Sequence, residues 1–198
     1  NELANFQYNL ATLKAKASGQ LVEEDKAIEP MKPAIVKLET PMKAVKLAKG
    51  ASLFSDRPGK VEAFAEELEG LTAYCFESQK QRNDGTTVVF ETDKPVSMLV
   101  GFFRDDQTKY AKAPKVEIDA SANDYKQAEP KLTAALRIGE MPLANVHAYQ
   151  FEPGKHELFL PKGFLTILGF VETGSLPQQT RNAGLAGADE AMDWLFYR

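Results

Sequence analysis

The chain has 198 residues, 43% of them apolar and 10% aromatic, which is enough to bury one substantial core and too apolar for a disordered segment. Its formal charge of −4 is mild and argues against nucleic acid as a partner, since such proteins carry a clustered basic face. One cysteine, Cys75, excludes an internal disulfide and a cysteine-rich metal site, and no run approaches the roughly 18 apolar residues that a membrane helix needs.

In chain order, residues 2–17 set Leu3, Phe6, Leu10 and Leu13 three and four apart. This is one apolar stripe of a helix that Ser18-Gly19 stops. A stripe this short is marginal alone in water, so the helix is expected to pack on its own domain. Contact with a second copy or with a parent protein is the other reading. The charged stretch 20–33, with Pro30 and Pro33, reads as a linker, which makes 1–33 a helix-and-linker unit. The chain starts at Asn1 rather than Met, which fits a removed export signal or a segment of a larger parent. Charge is uneven: residues 1–60 carry ten Lys/Arg against seven Asp/Glu, and residues 61–198 carry fourteen against twenty-one.

Residues 34–172 read as short strands set apart by turns. AIVKLETPM (34–42), broken by Pro41, has the pattern of an edge strand. Further strands are predicted at Ala51–Ser55, Lys60–Ala65, Leu71–Glu77, Thr86–Thr92, Val96–Phe103, Val116–Asp119, Val146–Phe151, His156–Leu160 and Phe164–Val171. Turns such as Asp56-Arg57-Pro58-Gly59, Asn83-Asp84-Gly85 and Pro161-Lys162-Gly163 lie between them, where Gly accepts positive φ and Pro presets a bend. Regular short strands without intervening long helices predict an all-β sandwich of jelly-roll type, with core positions at Val88, Phe90, Leu99, Gly101, Phe103, Leu165, Ile167 and Gly169 or their alternate-face neighbours. Residues 173–198 form a C-terminal extension whose end, ADEAMDWLFYR, reads as a short helix with acids in its first turn. Helices are thus expected at the two ends, with one more short helix near Pro130–Ile138.

Both histidines fall in VHAYQFEPGKHELFL (146–160). If Glu152-Pro153-Gly154-Lys155 closes a hairpin, Phe151 and His156 meet at the turn, while His147 lies about four residues up the strand at roughly 3.3 Å each. The pair lacks the i, i+2 or i, i+4 spacing that metal ligands favour, so structural or surface roles are expected for both. Cys75, in the alternating stretch LTAYCFE, reads as a buried, inert thiol. No G-x-S-x-G elbow and no Gly-rich phosphate loop is present.

Residues 104–145 break the rhythm with a long polar excursion, and such interruptions are often functional. Arg104, Asp105 and Asp106 leave a strand together, and Tyr110, Asp119, Asn123, Asp124, Tyr125, Gln127 and Glu129 follow. Planar hydrogen-bonding groups beside an aromatic ring are what a sugar needs. A ligand site is therefore expected on 104–129, with Tyr125 as the aromatic contact and Arg104, Asp124 and Gln127 as polar partners. The alternative for a polar loop is plain solvation, with Tyr110 or Tyr125 tucked inward as a pin. No cofactor is expected; Ca²⁺ on Asp105, Asp106, Asp119 and Asp124 is the one metal these acids suit, though their spacing matches no EF-hand.

Taken together, FSDRPG (54–59), GLTAYCF (70–76), PVSMLVGFFRDD (95–106), ANDYKQAEP (122–130), VHAYQFEPGKHEL (146–158) and GFLTILGFVE (163–172) resemble a group of uncharacterised β-sandwich modules. These are similar to galactose-binding-like domains and occur in secreted bacterial proteins associated with polysaccharide processing. The resemblance covers about residues 50–172 and implies an exported, accessory sandwich module, secreted, periplasmic or at the cell surface. The expected function is non-catalytic carbohydrate binding. Glycan cleavage by carboxylates of the 104–129 loop and a purely structural or assembly role are the alternatives.

Overall fold

The computed structural model of the chain describes residues 28–114 and 128–185. The helices expected at 2–17 and 188–198, the strand at Val116–Asp119, and the site residues Asp124, Tyr125 and Gln127 lie outside the described residues.

Alternation in the sequence makes the strands. In TTVVFET, Val88, Phe90 and Thr92 point inward while Thr87 and Glu91 face solvent, giving β5 (Thr86–Thr92). GKHELFL does the same with Leu158 and Leu160 buried, giving β9 (Gly154–Leu160). These two pair antiparallel with β1 (Lys37–Leu38) in a three-stranded sheet ordered β1-β5-β9. The remaining strands are β2 (Lys43–Lys46), β3 (Val61–Phe64), β4 (Thr72–Cys75), β6 (Val96–Phe103), β7 (Ala128–Ile138), β8 (Ala144–Phe151), β10 (Leu165–Glu172) and β11 (Arg181–Asn182). They form a large sheet ordered β11-β7-β8-β6-β10-β4-β2, with β3 paired to β7; only the β11–β7 pairing is parallel. The result is an all-β sandwich.

All eight residues of β6 are buried, because the large sheet is covered on both faces. On one face Met98, Val100, Phe102, Tyr149, Phe151, Ile167 and Phe170 meet Val88, Phe90, Leu158 and Leu160 of the small sheet. On the other, Leu99, Phe103, Leu132, Val146 and Leu168 are sealed by the chain that carries Leu47, Leu53, Phe54, Val61, Leu68 and Leu71. Each large apolar side chain taken fully out of water contributes about 1.5–3 kcal/mol, so the two layers together hold the sheet. The eight expected core positions are all buried.

Four expectations need correcting. Pro130–Ile138 is strand, part of β7, not helix. Its buried residues Leu132, Ala135, Leu136 and Ile138 mimic helical spacing because a bulge breaks the alternation: Ala134 takes φ 47°, and the register to β8 shifts between Leu132 and Leu136. Residues Glu152–Lys155 do not close a hairpin. They carry the chain from β8 in the large sheet across to β9 in the small one. Residues 51–55 make only isolated bridges, Ser52 to Lys60 and Phe54 to Phe76. Finally, a helix stands between β4 and β5: α1 (Ser78–Asp84), closed by Gly85 where the sequence reads as a turn.

Candidate functional site

The two histidines occupy different sheets. His147, opposite Val100 in β8, is buried against the edge of the Phe102 ring at 5.2 Å. Burial pushes its pKa below the ordinary 6.5, partly opposed by the backbone at Asn145. His156, opposite Phe90 in β9, lies 5.1 Å from the Phe151 ring and donates from Nε2 to the Glu152 carbonyl at 2.6 Å. Among the described residues no three His, Cys, Asp or Glu side chains come together. Cys75 is half-buried rather than buried; it lines a groove of about 490 Å³ with Met42, Phe76, Glu77 and Lys80.

Many acidic side chains are already engaged. Glu39 pairs with Lys155 at 2.8 Å, Glu91 with Lys37 at 3.6 Å, Glu129 with Lys131 at 2.7 Å, and buried Glu67 with Arg181 at 3.2 Å. Asp105 folds its own loop, accepting from the Gln107 N–H at 2.7 Å and from Gln107 Nε2 at 3.1 Å. Arg104 is exposed at the head of that loop, its N–H donating to the Leu143 carbonyl. Tyr110 takes the pinning role: it is 6% exposed, packed 5.4 Å from the Phe103 ring and 6.0 Å from the Phe164 ring.

The loops at this end of the sandwich converge on Phe164. Asp56 accepts from the Ser78 and Gln79 N–H groups, 2.8 Å each, and so ties the Asp56–Gly59 turn to the start of α1. Burial raises the Asp56 carboxyl, but those hydrogen bonds from Gln79 and Ser78 outweigh it and hold the pKa below the ordinary carboxylate value. Gln81 Nε2 donates to the Pro161 carbonyl at 2.7 Å and fastens α1 to the next turn. Gly163, at φ 119°, lets that turn press on the Tyr110–Ala111 backbone, where a Cβ would collide. Two hydrogen bonds lock the contact, Phe164 N–H to Lys109 O and Ala111 N–H to Phe164 O.

This scaffold places two guanidinium groups on one ring. Arg57 Cζ stands 4.7 Å and Arg82 Cζ 5.6 Å from the centroid of Phe164, which is itself only 4% exposed. Lys109 Nζ lies 5.0 Å from the neighbouring Tyr110 ring. Among the described residues none of these three cations pairs with a carboxylate. Of the four side chains expected to bind ligand, Arg104 alone is described, on the adjoining loop. Sequence reading missed Arg57, Arg82 and Phe164, which come from a turn, a helix and a second turn, and no spacing could have joined them.

No family model matches the chain, and no curated protein matches it. Among solved structures it is similar to a GH138 enzyme targeting pectin rhamnogalacturonan II. Identity is 45% and the TM-score 0.74, over 99% of this chain and 22% of that one. The chain thus spans about a fifth of the length of that enzyme.

Proposed function

We propose that the chain is a non-catalytic accessory β-sandwich module of an exported bacterial protein of glycan processing, and that it contacts carbohydrate through the loop end around Phe164. The carrying observation is the match of nearly the whole chain to about a fifth of a pectin-targeting enzyme at 45% identity. A segment of that size leaves most of the enzyme to supply the chemistry. The resemblance of the segment order to galactose-binding-like sandwiches fits the same reading, and binding residues in general concentrate on loops held by a rigid scaffold. The loop end offers what a hydroxylated ligand requires: fixed donors, an apolar floor and rigid supporting strands.

The test is direct. The 198-residue chain is titrated with pectic oligosaccharides by calorimetry, and the same mixtures are assayed for new reducing ends. Saturable binding without cleavage is the expected result. Release of reducing ends overturns the non-catalytic reading, and the absence of binding to every glycan overturns the carbohydrate reading.

A further inference from the structure

We infer that Arg57 and Arg82 form a carboxylate-binding site, and that the glycan taken at this end is acidic, held through the carboxylate of a uronate residue. The inference rests on the carbohydrate reading above and names the ligand class of the same loop end.

The body of the chain is acidic, and Lys37, Lys131, Lys155 and Arg181 each find a carboxylate. Arg57 and Arg82, like most of the described lysines and arginines, form no such pair, and what sets these two apart is the ring they share. They gather on one aromatic ring, and among the described residues no acid compensates them. The acids beside them in sequence do not serve: Asp56 is spent on the backbone of α1, and Asp84 makes no ion pair with Arg82. Two like charges on one ring repel each other, and a cation–π contact returns only about 0.5–1 kcal/mol at an exposed site. Among the described residues the arrangement therefore lacks an anion.

Geometry supports the same conclusion. Both guanidinium stems spring from backbone that is held in place: the Asp56 cap fixes the turn bearing Arg57, and the Gln81–Pro161 bond fixes the helix bearing Arg82. The Phe164 ring limits the orientation of both planar groups, so little side-chain freedom is lost when an anion arrives. A planar carboxylate accepts two parallel N–H bonds from a guanidinium fork, which suits it to such a clip. Lys109, whose carbonyl accepts from the Phe164 N–H, adds a third positive charge beside the neighbouring Tyr110 ring.

The experiment compares one ligand in two charge states. A galacturonate oligomer and its methyl ester share ring geometry and hydroxyl pattern and differ in charge. The chain should bind the acid form roughly tenfold or more tightly than the ester, as one charge-assisted contact predicts. Arg82→Gln, at an exposed position, should lower affinity for the acid form by a similar factor and lower ester binding far less; Arg57→Lys, which keeps charge but loses the fork, should fall between. Equal binding of acid and ester overturns the inference, as does an Arg57→Gln/Arg82→Gln variant that binds the acid form like the parent. Displacement by inorganic phosphate as effective as that by free galacturonate overturns the sugar assignment. Tight binding of poly-glutamate with none of oligogalacturonate does so too, pointing to an acidic protein partner. If neutral pectic oligosaccharides bind and the acid form shows no advantage, this inference alone falls; if no glycan binds, the carbohydrate reading falls with it.

Discussion

The carboxylate of Asp56 caps a helix that begins 22 residues further along the chain, its two oxygens accepting from the backbone N–H groups of Ser78 and Gln79. Glu77, at the N-cap of α1, contributes no side-chain bond of its own. The helix is only seven residues long, too short to be stable without help, so the remote cap sets its position. Asp56→Ala should cost about 1–2 kcal/mol, as loss of a cap does. Because the folded pKa is depressed, the contribution is fully present above the ordinary value of 3.8 and is lost as pH falls through the lowered one. Urea midpoints at neutral pH and near pH 3 check both statements. The gap between parent and variant should narrow at the acid end.

Gly169 marks the bulge in β10, where the register to β6 shifts after Ile167. Its φ is 103°, and a Cβ there would run into the Thr72 carbonyl of β4. Gly169→Ala should therefore destabilise the sandwich by on the order of 3 kcal/mol, combining backbone strain with overpacking between two central strands. Denaturant unfolding with an unchanged m-value would bear this out, and a loss under about 1 kcal/mol would contradict the close approach.

His147 gives the chain a second pH dependence, separate from that of the carboxylates. Its folded pKa lies below 6.5, so folded and unfolded states are equally neutral above that value and the residue adds no slope there. As pH falls below 6.5 the unfolded state takes up the proton first, and stability declines until the lowered folded value is reached. His147→Gln should remove that part of the decline while leaving the carboxylate slope below about pH 4 in place. Melting temperatures across roughly pH 4–8 for both proteins decide it; parallel curves would show that His147 titrates normally.

How far the sequence could be read depended on whether one strand alone carried the information. Val88 and Phe90, or Leu158 and Leu160, stand two apart in stretches that also set Thr87, Glu91, Lys155 and Glu157 toward solvent, and so announce a half-buried strand. The β6 run VSMLVGFF announces only that both faces are covered, and nothing in it says that Leu53, Phe54 and Leu71 form the cover. In β7 the bulge at Ala134 turned a period of two into an apparent three-and-four pattern, so local spacing pointed to helix while pairing with β8 decided for strand. SQKQRND has no apolar stripe, and α1 exists through Asp56 and Gln81, both tertiary contacts. The loop end follows the same logic. Arg104 and the tyrosines are close together in sequence and drew attention, whereas Arg57, Arg82 and Phe164 meet only once α1 and two turns have been fastened together.

Tyr110 separates a structural ring from a ligand-binding one. It sits on the loop where a sugar-stacking tyrosine was expected, yet it is 6% exposed and wedged between Phe103 and Phe164. A ring that stacks on a ligand must offer a face to solvent, and here the neighbouring faces are taken by protein. The residue also holds the bridge that presses the loop against Phe164, the floor beneath both arginines. Tyr110→Ala should cost roughly 3–5 kcal/mol, the usual loss for truncating a buried aromatic. Tyr110→Phe keeps the packing and should stay within about 1 kcal/mol of the parent. At a temperature where both variants remain folded, Tyr110→Phe should bind pectic oligosaccharides with unchanged affinity. If Tyr110→Phe keeps full stability but loses binding several-fold, the hydroxyl reaches the ligand and the ring is part of the site rather than its support.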